Sequence, residues 1–357
     1  MTFIFGAPQY YVQGEGVLAD TAKHLAEIGV NGNVLIIQDP ATFGCSVSLR
    51  NSLTQSSISF ELMEFEGSIS LDAVEKFVGK VEEHSYDCII GIGGGKTIDF
   101  AKRIAWAVSA RIVTVPTSIA SDAATSRSAV SHGNKGEIVE DLSISCPSLV
   151  LVDSRVIVNA PIRLFSAGMA DAISKRYEYV LSQKCGAGNW FNANPVYFID
   201  NVSLVMHSFL FREARYLKKC FTEHILNETV EQGITSMLLM SRIVYDSGGL
   251  RGAHDMFEVF HDMGYGRDYL HGEIVGFFDL VHLKLEDYAE NEFYELYQLY
   301  DELGIPLSIS KLGFPVKNDD ALTELIQQLI IKVAKFNYYP KPDDIRRVIL
   351  GLEDRIF

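Results

Sequence analysis

Three stretches far apart in this sequence carry residues able to hold a divalent cation. Ser166-Ala-Gly-Met-Ala-Asp171 puts an acid into an otherwise apolar helical segment. Gly248-Gly-Leu-Arg-Gly-Ala-His254 places a histidine behind small residues, and Tyr269-Leu-His271-Gly-Glu-Ile-Val-Gly276 places another at a loop-to-helix junction. One carboxylate and two imidazoles suit Zn²⁺, or Fe²⁺, with a position left open for substrate. The spacing leaves a second reading open, with Asp171 as a helix cap and the histidines as satisfied polar packing.

A fourth stretch is suited to phosphate: Cys88-Ile-Ile-Gly-Ile-Gly-Gly-Gly-Lys-Thr-Ile-Asp-Phe-Ala-Lys102. An apolar run through Ile89, Ile90 and Ile92 meets Gly93, Gly94 and Gly95, and a helical pattern follows through Ile98, Ala101, Ile104 and Ala105. The turn lets a diphosphate approach the backbone, and the helix start offers unpaired N–H groups and a positive dipole end. The glycines fit neither the Walker A frame nor Gly-x-Gly-x-x-Gly, so the stretch reads as a variant cradle or as a tight strand-to-helix turn without a ligand. Asp39 closes the apolar run from Asn33. It can accept from an adenosine ribose hydroxyl, or open a turn with Pro40.

The elements that must position these groups follow from periodicity. Strands are expected at Gln9–Val12, Asn33–Asp39, Ser59–Phe65, Cys88–Ile92, Arg111–Thr117 and Ser148–Asp153, with helices between several of them. That alternation predicts an α/β N-terminal domain with a mostly parallel sheet covered on both faces. After Asn159-Ala-Pro161 helical patterns dominate, at 164–183, 194–226, 228–247, 250–262, 272–290, 292–303, 319–334 and 342–354. The expected division is 1–160 and 161–357, with ligand in a cleft between an α/β half and an all-α half.

The chain has 357 residues, 48% of them hydrophobic and 22% charged, as in a globular protein of two domains. A net charge of -15 argues against a nucleic-acid or anionic-membrane surface. The five cysteines (Cys45, Cys88, Cys146, Cys185 and Cys220) form no Cys-x-x-Cys pair, as expected of reduced cytoplasmic thiols. No basic leader and no run of membrane-spanning length is evident.

Taken together, the motifs resemble the iron-containing alcohol dehydrogenase and dehydroquinate synthase-like superfamily, most closely its glycerol dehydrogenase branch. Gly91 to Lys102 is similar to that branch's dinucleotide loop. Val115-Pro-Thr-Ser-Ile-Ala-Ser-Asp122-Ala-Ala-Thr-Ser126 is similar to its substrate and cofactor loop, and the three cation-type stretches come in its order. The resemblance implies a Rossmann-like N-terminal domain, an all-helical C-terminal domain, and NAD-dependent hydride transfer on a small polyol or hydroxy acid. It implies a divalent metal, Zn²⁺ before Fe²⁺, on Asp171, His254 and His271. Gly93, Gly94 and Gly95 would receive the diphosphate, with Lys96, Asp99 and Val130 also at the cofactor. Thr117 and Ser126 would lie along the nicotinamide half, and Asp122 would contact the substrate hydroxyl. Asp39 by the ribose would favour NAD over NADP, because an acid repels a 2′-phosphate. A small-molecule substrate, a homo-oligomer and a cytoplasmic setting go with the same resemblance.

This sequence departs from the branch in three places. Phe257 stands where a second histidine is usual, with His261 four residues on, which puts a proton relay there in doubt. Lys175 and Arg176 follow Asp171, where neutral or aromatic residues are usual. Arg127 follows the substrate loop, as in the glycerol-1-phosphate dehydrogenase branch. Lys175, at i+4 from Asp171, shares its helix face. Lys175 and Arg127 are therefore candidate catalytic residues that read an anionic substrate. The opposing reading pairs Lys175 and Arg176 with Glu178 or surface acids. Other expectations are a glycerol-1-phosphate dehydrogenase-like enzyme, a dehydroquinate synthase-like lyase, against which Asp171 in place of Glu counts, and a non-catalytic nucleotide-binding relative.

Overall fold

The computed structural model describes residues 1–67, 69–132 and 138–356. Two compact units are present: residues 6–161 with 220–242, and residues 1–5, 162–219 and 243–357.

The first unit is built on β1 (Tyr10–Gly14), β2 (Val34–Gln38), β3 (Phe60–Glu64), β4 (Cys88–Gly93), β5 (Arg111–Pro116), β6 (Ser128–His132), β7 (Ile138–Ser143) and β8 (Leu149–Asp153). Six of these form a parallel sheet in the order β1-β8-β5-β4-β2-β3. Its helices are α1 (Thr21–Glu27), α2 (Val47–Gln55), α3 (Leu71–Val81), α4 (Gly95–Ala107) and α5 (Ser154–Val158). Every residue of β2, β4 and β8 is buried, which is why those strands read as unbroken apolar runs. Val34, Ile36, Ile90 and Val113 pack with Leu25, Leu49 and Leu53 on one face. Leu35, Ile37, Ile89 and Ile112 pack with Phe100, Ala101 and Ile104 on the other. The chain steps outward from β2 to β3 and then returns to place β4 on the opposite side of β2. Ligands of open parallel sheets bind at such a reversal, beyond the strands' C-terminal ends. Asp39 and Gly93 end those two strands, and the Asp39 N–H donates to the Ile92 carbonyl at 3.2 Å.

Two features were not anticipated in this unit. β6 and β7 form a separate antiparallel hairpin whose Ser, Glu and Asp residues mask its strand character. Residues 220–242 also belong here, so the single boundary at 160 does not separate the units. The Thr125 hydroxyl donates to the Leu238 carbonyl (2.7 Å), and Gln13 Nε2 donates to the Glu231 carbonyl (2.8 Å).

The second unit comprises α6 (Ile162–Lys184), most of α7 (Ile199–Thr222) and, beyond residue 242, α10 (Ala253–Asp262), α11 (His271–Leu285), α12 (Glu290–Leu303), α13 (Asp319–Ala334) and α14 (Pro342–Asp354). The helix expected over 228–247 is three pieces: α8 (Glu228–Thr235), a π-helical turn at Ser236–Met240, and α9 (Ser241–Gly248). α7 begins later than expected, after Pro195, which cannot donate a helical hydrogen bond.

α6 and α11 are the buried helices of this unit, and small residues bring them together. A Cβ on Gly272 would lie 1.9 Å from the Ala167 carbonyl oxygen, and one on Gly276 3.1 Å from the Ala170 Cβ. Backbone cannot yield cheaply at the first of these. Gly272→Ala is expected to lower unfolding stability by about 1–3 kcal/mol, the usual cost of overpacking, measured by denaturant unfolding.

Candidate functional site

In the helical unit, α6 presents Asp171, Ser174, Lys175 and Glu178 at i, i+3, i+4 and i+7, a buried polar face of a largely buried helix. The N-terminus of α10 brings His254 to this stripe. Its backbone N–H donates to Glu178 Oε1 (2.7 Å), and its Nδ1 lies 2.5 Å from Glu178 Oε2. With Nδ1–H directed at Glu178, Nε2 points to Asp171 Oδ1 at 3.1 Å. The N-terminus of α11 brings His271, whose Nε2 is 3.4 Å from Asp171 Oδ1 and 3.3 Å from His254 Nε2. Glu273 holds that helix end. It accepts from the Leu270 N–H (2.8 Å) and pairs with Arg163 at the start of α6 (2.6 and 2.8 Å).

One atom each from Asp171, His254 and His271 thus converge, all within 4.8 Å of one another. Ligands about 2.05 Å from a tetrahedral Zn²⁺ stand about 3.3 Å apart, so the observed separations fit that donor set. The Asp171 and His254 side chains are 3% and 11% exposed and His271 34%, which leaves one side of the group open. Glu178 fixes the orientation of the His254 ring, as a carboxylate behind a ligating histidine would.

The charges here are strongly coupled. Burial works against an ionised Asp171, yet Lys175, His254 and His271 hold it well below the usual carboxylate range. Burial likewise opposes a charged His254 ring, but Glu178 and Asp171 outweigh it and push its pKa up to about 10. Against the same desolvation, His254 lowers Glu178.

In the α/β unit, Gly94 precedes α4 with no side-chain cap on the first turn. The neighbouring glycines have packing reasons. A Cβ at Gly91 would sit 2.6 Å from the Ala101 Cβ, and one at Gly93 2.8 Å from the Thr97 Cβ. A Cβ at Gly94 would meet nothing within 4 Å, so the bare backbone there is not required by the fold. Open space over uncapped N–H groups fits a dinucleotide diphosphate. Thr117 adjoins the same turn, its N–H donating to the Gly93 carbonyl (3.0 Å). Lys96 is exposed on the first turn of α4. Asp39 is half-buried and accepts from the Ala41 N–H (2.9 Å), so it opens the turn that follows β2.

The remaining residues form a buried polar knot around Lys102. Its ammonium donates to Asp99 (3.2 Å), the Ser126 hydroxyl (2.7 Å), and the carbonyls of Ala123 (2.5 Å) and Ser128 (2.9 Å). Asp99 also accepts from the Val130 N–H at 3.4 Å, and burial raises its pKa against the pull of Lys102. The polar groups of Asp99, Ser126 and Val130 are therefore engaged with protein partners, and together they set the shape of the 122–130 loop. Asp122 is buried, accepting from the Ser241 hydroxyl (3.0 Å), with Arg242 at 3.6 Å.

Lys175 does point toward the triad, but its ammonium is bonded to Asp171 Oδ2 at 3.1 Å. Arg176 pairs with Asp200 (2.6 Å), a surface acid, and not with Glu178. Arg127 lies in the other unit at the base of the β6–β7 hairpin, its Nε donating to the Ile144 carbonyl (3.3 Å). Phe257 packs edge-on against the His271 ring, with centroids 4.4 Å apart. Glu273, Lys102 and Arg242 were given no role of their own from the sequence, and Glu178 entered only as an alternative ion-pair partner of Lys175 and Arg176. The polar stripe along α6 was the available signal for Glu178.

A model of the family described as iron-containing alcohol dehydrogenase matches residues 8–154. A glycerol dehydrogenase of Thermotoga maritima is 27% identical over 97% of this chain and 94% of its own length. A glycolaldehyde reductase of Halobacterium salinarum is 28% identical over 88% and 86%. The crystal structure of a probable glycerol dehydrogenase from Sinorhizobium meliloti superposes with a TM-score of 0.88 at 26% identity, covering 99% of both chains. Residues 8–154 thus match the iron-containing alcohol dehydrogenase family, and the chain as a whole is similar to proteins named glycerol dehydrogenase.

The histidine–carboxylate cluster and the glycine turn can each be tested by mutation. Glu178→Gln is expected to leave the fold intact and weaken Zn²⁺ binding about 10–100-fold, the usual effect of losing a carboxylate behind a ligating histidine, measured by chelator competition. Gly94→Val is expected to hold unfolding stability within about 1 kcal/mol while weakening NAD binding at least tenfold, since it fills space only a ligand needs. Calorimetry with NAD and a denaturant melt on the same protein check both halves.

Proposed function

We propose that this chain is an NAD-dependent, divalent-metal-dependent dehydrogenase of small polyols, of the glycerol dehydrogenase type. The observation that carries the reading is the convergence of Asp171, His254 and His271 at tetrahedral ligand spacing, with Glu178 orienting His254. Relatives and a solved structure bearing the glycerol dehydrogenase name match over almost the full chain.

A cation on these three residues, Zn²⁺ or Fe²⁺ by its donor set, would supply Lewis acidity toward a substrate hydroxyl. NAD supplies the hydride acceptor. The chain's own contribution is placement and exclusion of water. Gly93–Gly95 and the start of α4 receive the diphosphate, and Asp39 the adenosine ribose, which favours NAD over NADP. Asp122, its carboxylate fixed by Ser241 and Arg242, is the candidate contact to a substrate hydroxyl. Phe257, beside His271, carries no proton, so no relay runs through that position. The Lys175 ammonium is paired with Asp171, which argues against a role in reading substrate anions.

All five cysteines are free, and among the described residues no helix is long and apolar enough to cross a membrane. Both fit a cytoplasmic enzyme. A panel of glycerol, 1,2-diols, 2-hydroxy acids and glycerol phosphate, run with NAD or NADP, tests the assignment. Oxidation of neutral vicinal diols with NAD is expected, abolished by chelation and restored by Zn²⁺. Turnover of glycerol phosphate alone would place the chain with the phosphate-specific relatives.

A further inference from the structure

Asp171 divides its two oxygens. Oδ1 faces the Nε2 atoms of His254 and His271, while Oδ2 is bonded to the Lys175 ammonium. Lys175 is 1% exposed, and its ammonium also lies 5.6 Å from the centroid of the Tyr245 ring. A buried ammonium therefore sits one carboxylate away from where a cation would be held. We propose that Lys175 is a positioning residue that holds Asp171 as a one-oxygen donor and weakens the cluster's grip on its cation. The inference rests on the reading of Asp171, His254 and His271 as a metal centre.

Two physical effects act in the same direction. Asp171 and Glu178 present two negative charges to the centre, and Lys175 cancels one of them. At this burial the repulsion between an ammonium and a dication is little screened by solvent or salt. The ammonium also fixes the Asp171 rotamer through Oδ2, which withholds that oxygen from a cation and removes the chelating two-oxygen mode. Glu178 cannot compensate, because both its oxygens are directed to His254.

The test compares the full-length wild type with Lys175→Met and Lys175→Arg in a chelator-competition titration with Zn²⁺. Lys175→Met removes the charge at similar length and is expected to bind Zn²⁺ about tenfold more tightly. Lys175→Arg keeps the charge and is expected to stay near wild type. Thermal melts provide a second readout. In Lys175→Met, Zn²⁺ is expected to raise Tm by more than it does in wild type, because the cation then satisfies a carboxylate that has lost its partner. A lysine of purely structural importance would lower Tm equally with and without Zn²⁺ and leave affinity unchanged, which overturns the proposal. Should Lys175→Met not fold, Lys175→Gln is read in the same two ways. Equal or weaker Zn²⁺ binding by the neutral variants, with wild type binding one equivalent, also overturns it. Failure of wild type to bind Zn²⁺ at all would overturn the metal-centre reading itself.

Discussion

The His254 ring, clamped between Asp171 and Glu178, is the interaction on which the helical unit's chemistry depends. It joins two turns of α6 to the first turn of α10 through three bonds, none of them exposed. A buried imidazole between two carboxylates is costly to break, because removing one partner leaves a charge without compensation in a low-dielectric interior. The same clamp solves a geometric problem. Asp171 and His254 are more than eighty residues apart in sequence, and Glu178 fixes both the backbone and the ring of His254 where it meets Asp171. Gly272 completes the arrangement by letting α11 press onto α6 so that His271 reaches the same oxygen.

The α/β unit solves its own positioning problem in a parallel way. There too a buried lysine sits one helical turn after an acid, Lys102 after Asp99, as Lys175 follows Asp171. Lys102 does not face a cation cluster but gathers the carbonyls and hydroxyl of the 122–130 loop against α4. In one unit the pair engages a carboxylate that faces two histidines, and in the other it shapes a loop. A buried lysine in this fold is thus a scaffold element whose meaning depends on what its acid does next.

Much of this was legible from residue order. The central strands β2, β4, β5 and β8 are apolar because both faces are covered, so they stand out as runs, whereas the edge strands β1 and β3 mix apolar with polar residues. α13 and α14 were placed residue for residue, because caps and periodicity agree there. Asp171, His254 and His271 could be named because small residues flank them, and glycine beside a histidine marks a close approach. What stayed hidden has a common cause. Glu178, Lys102 and Arg242 are long polar residues in helices, where sequence cannot distinguish a solvated face from a buried one. The β6–β7 hairpin was missed because its polar residues look like loop, and segment 220–242 because helical periodicity says nothing about which core a helix joins.

The π-helical turn at Ser236–Met240 carries a consequence of its own. A π turn is an α-helix with one extra residue, so everything after it is rotated by about 100° relative to an uninterrupted helix. Ser241 and Arg242, which hold the Asp122 carboxylate, come directly after that turn. Deleting a single residue within 236–240 would regularise the helix, and by ordinary propensity strengthen it. It would also swing both side chains away from Asp122. The irregularity works as a phase setting: a shorter, smoother helix here would be a better helix that no longer holds the Asp122 carboxylate.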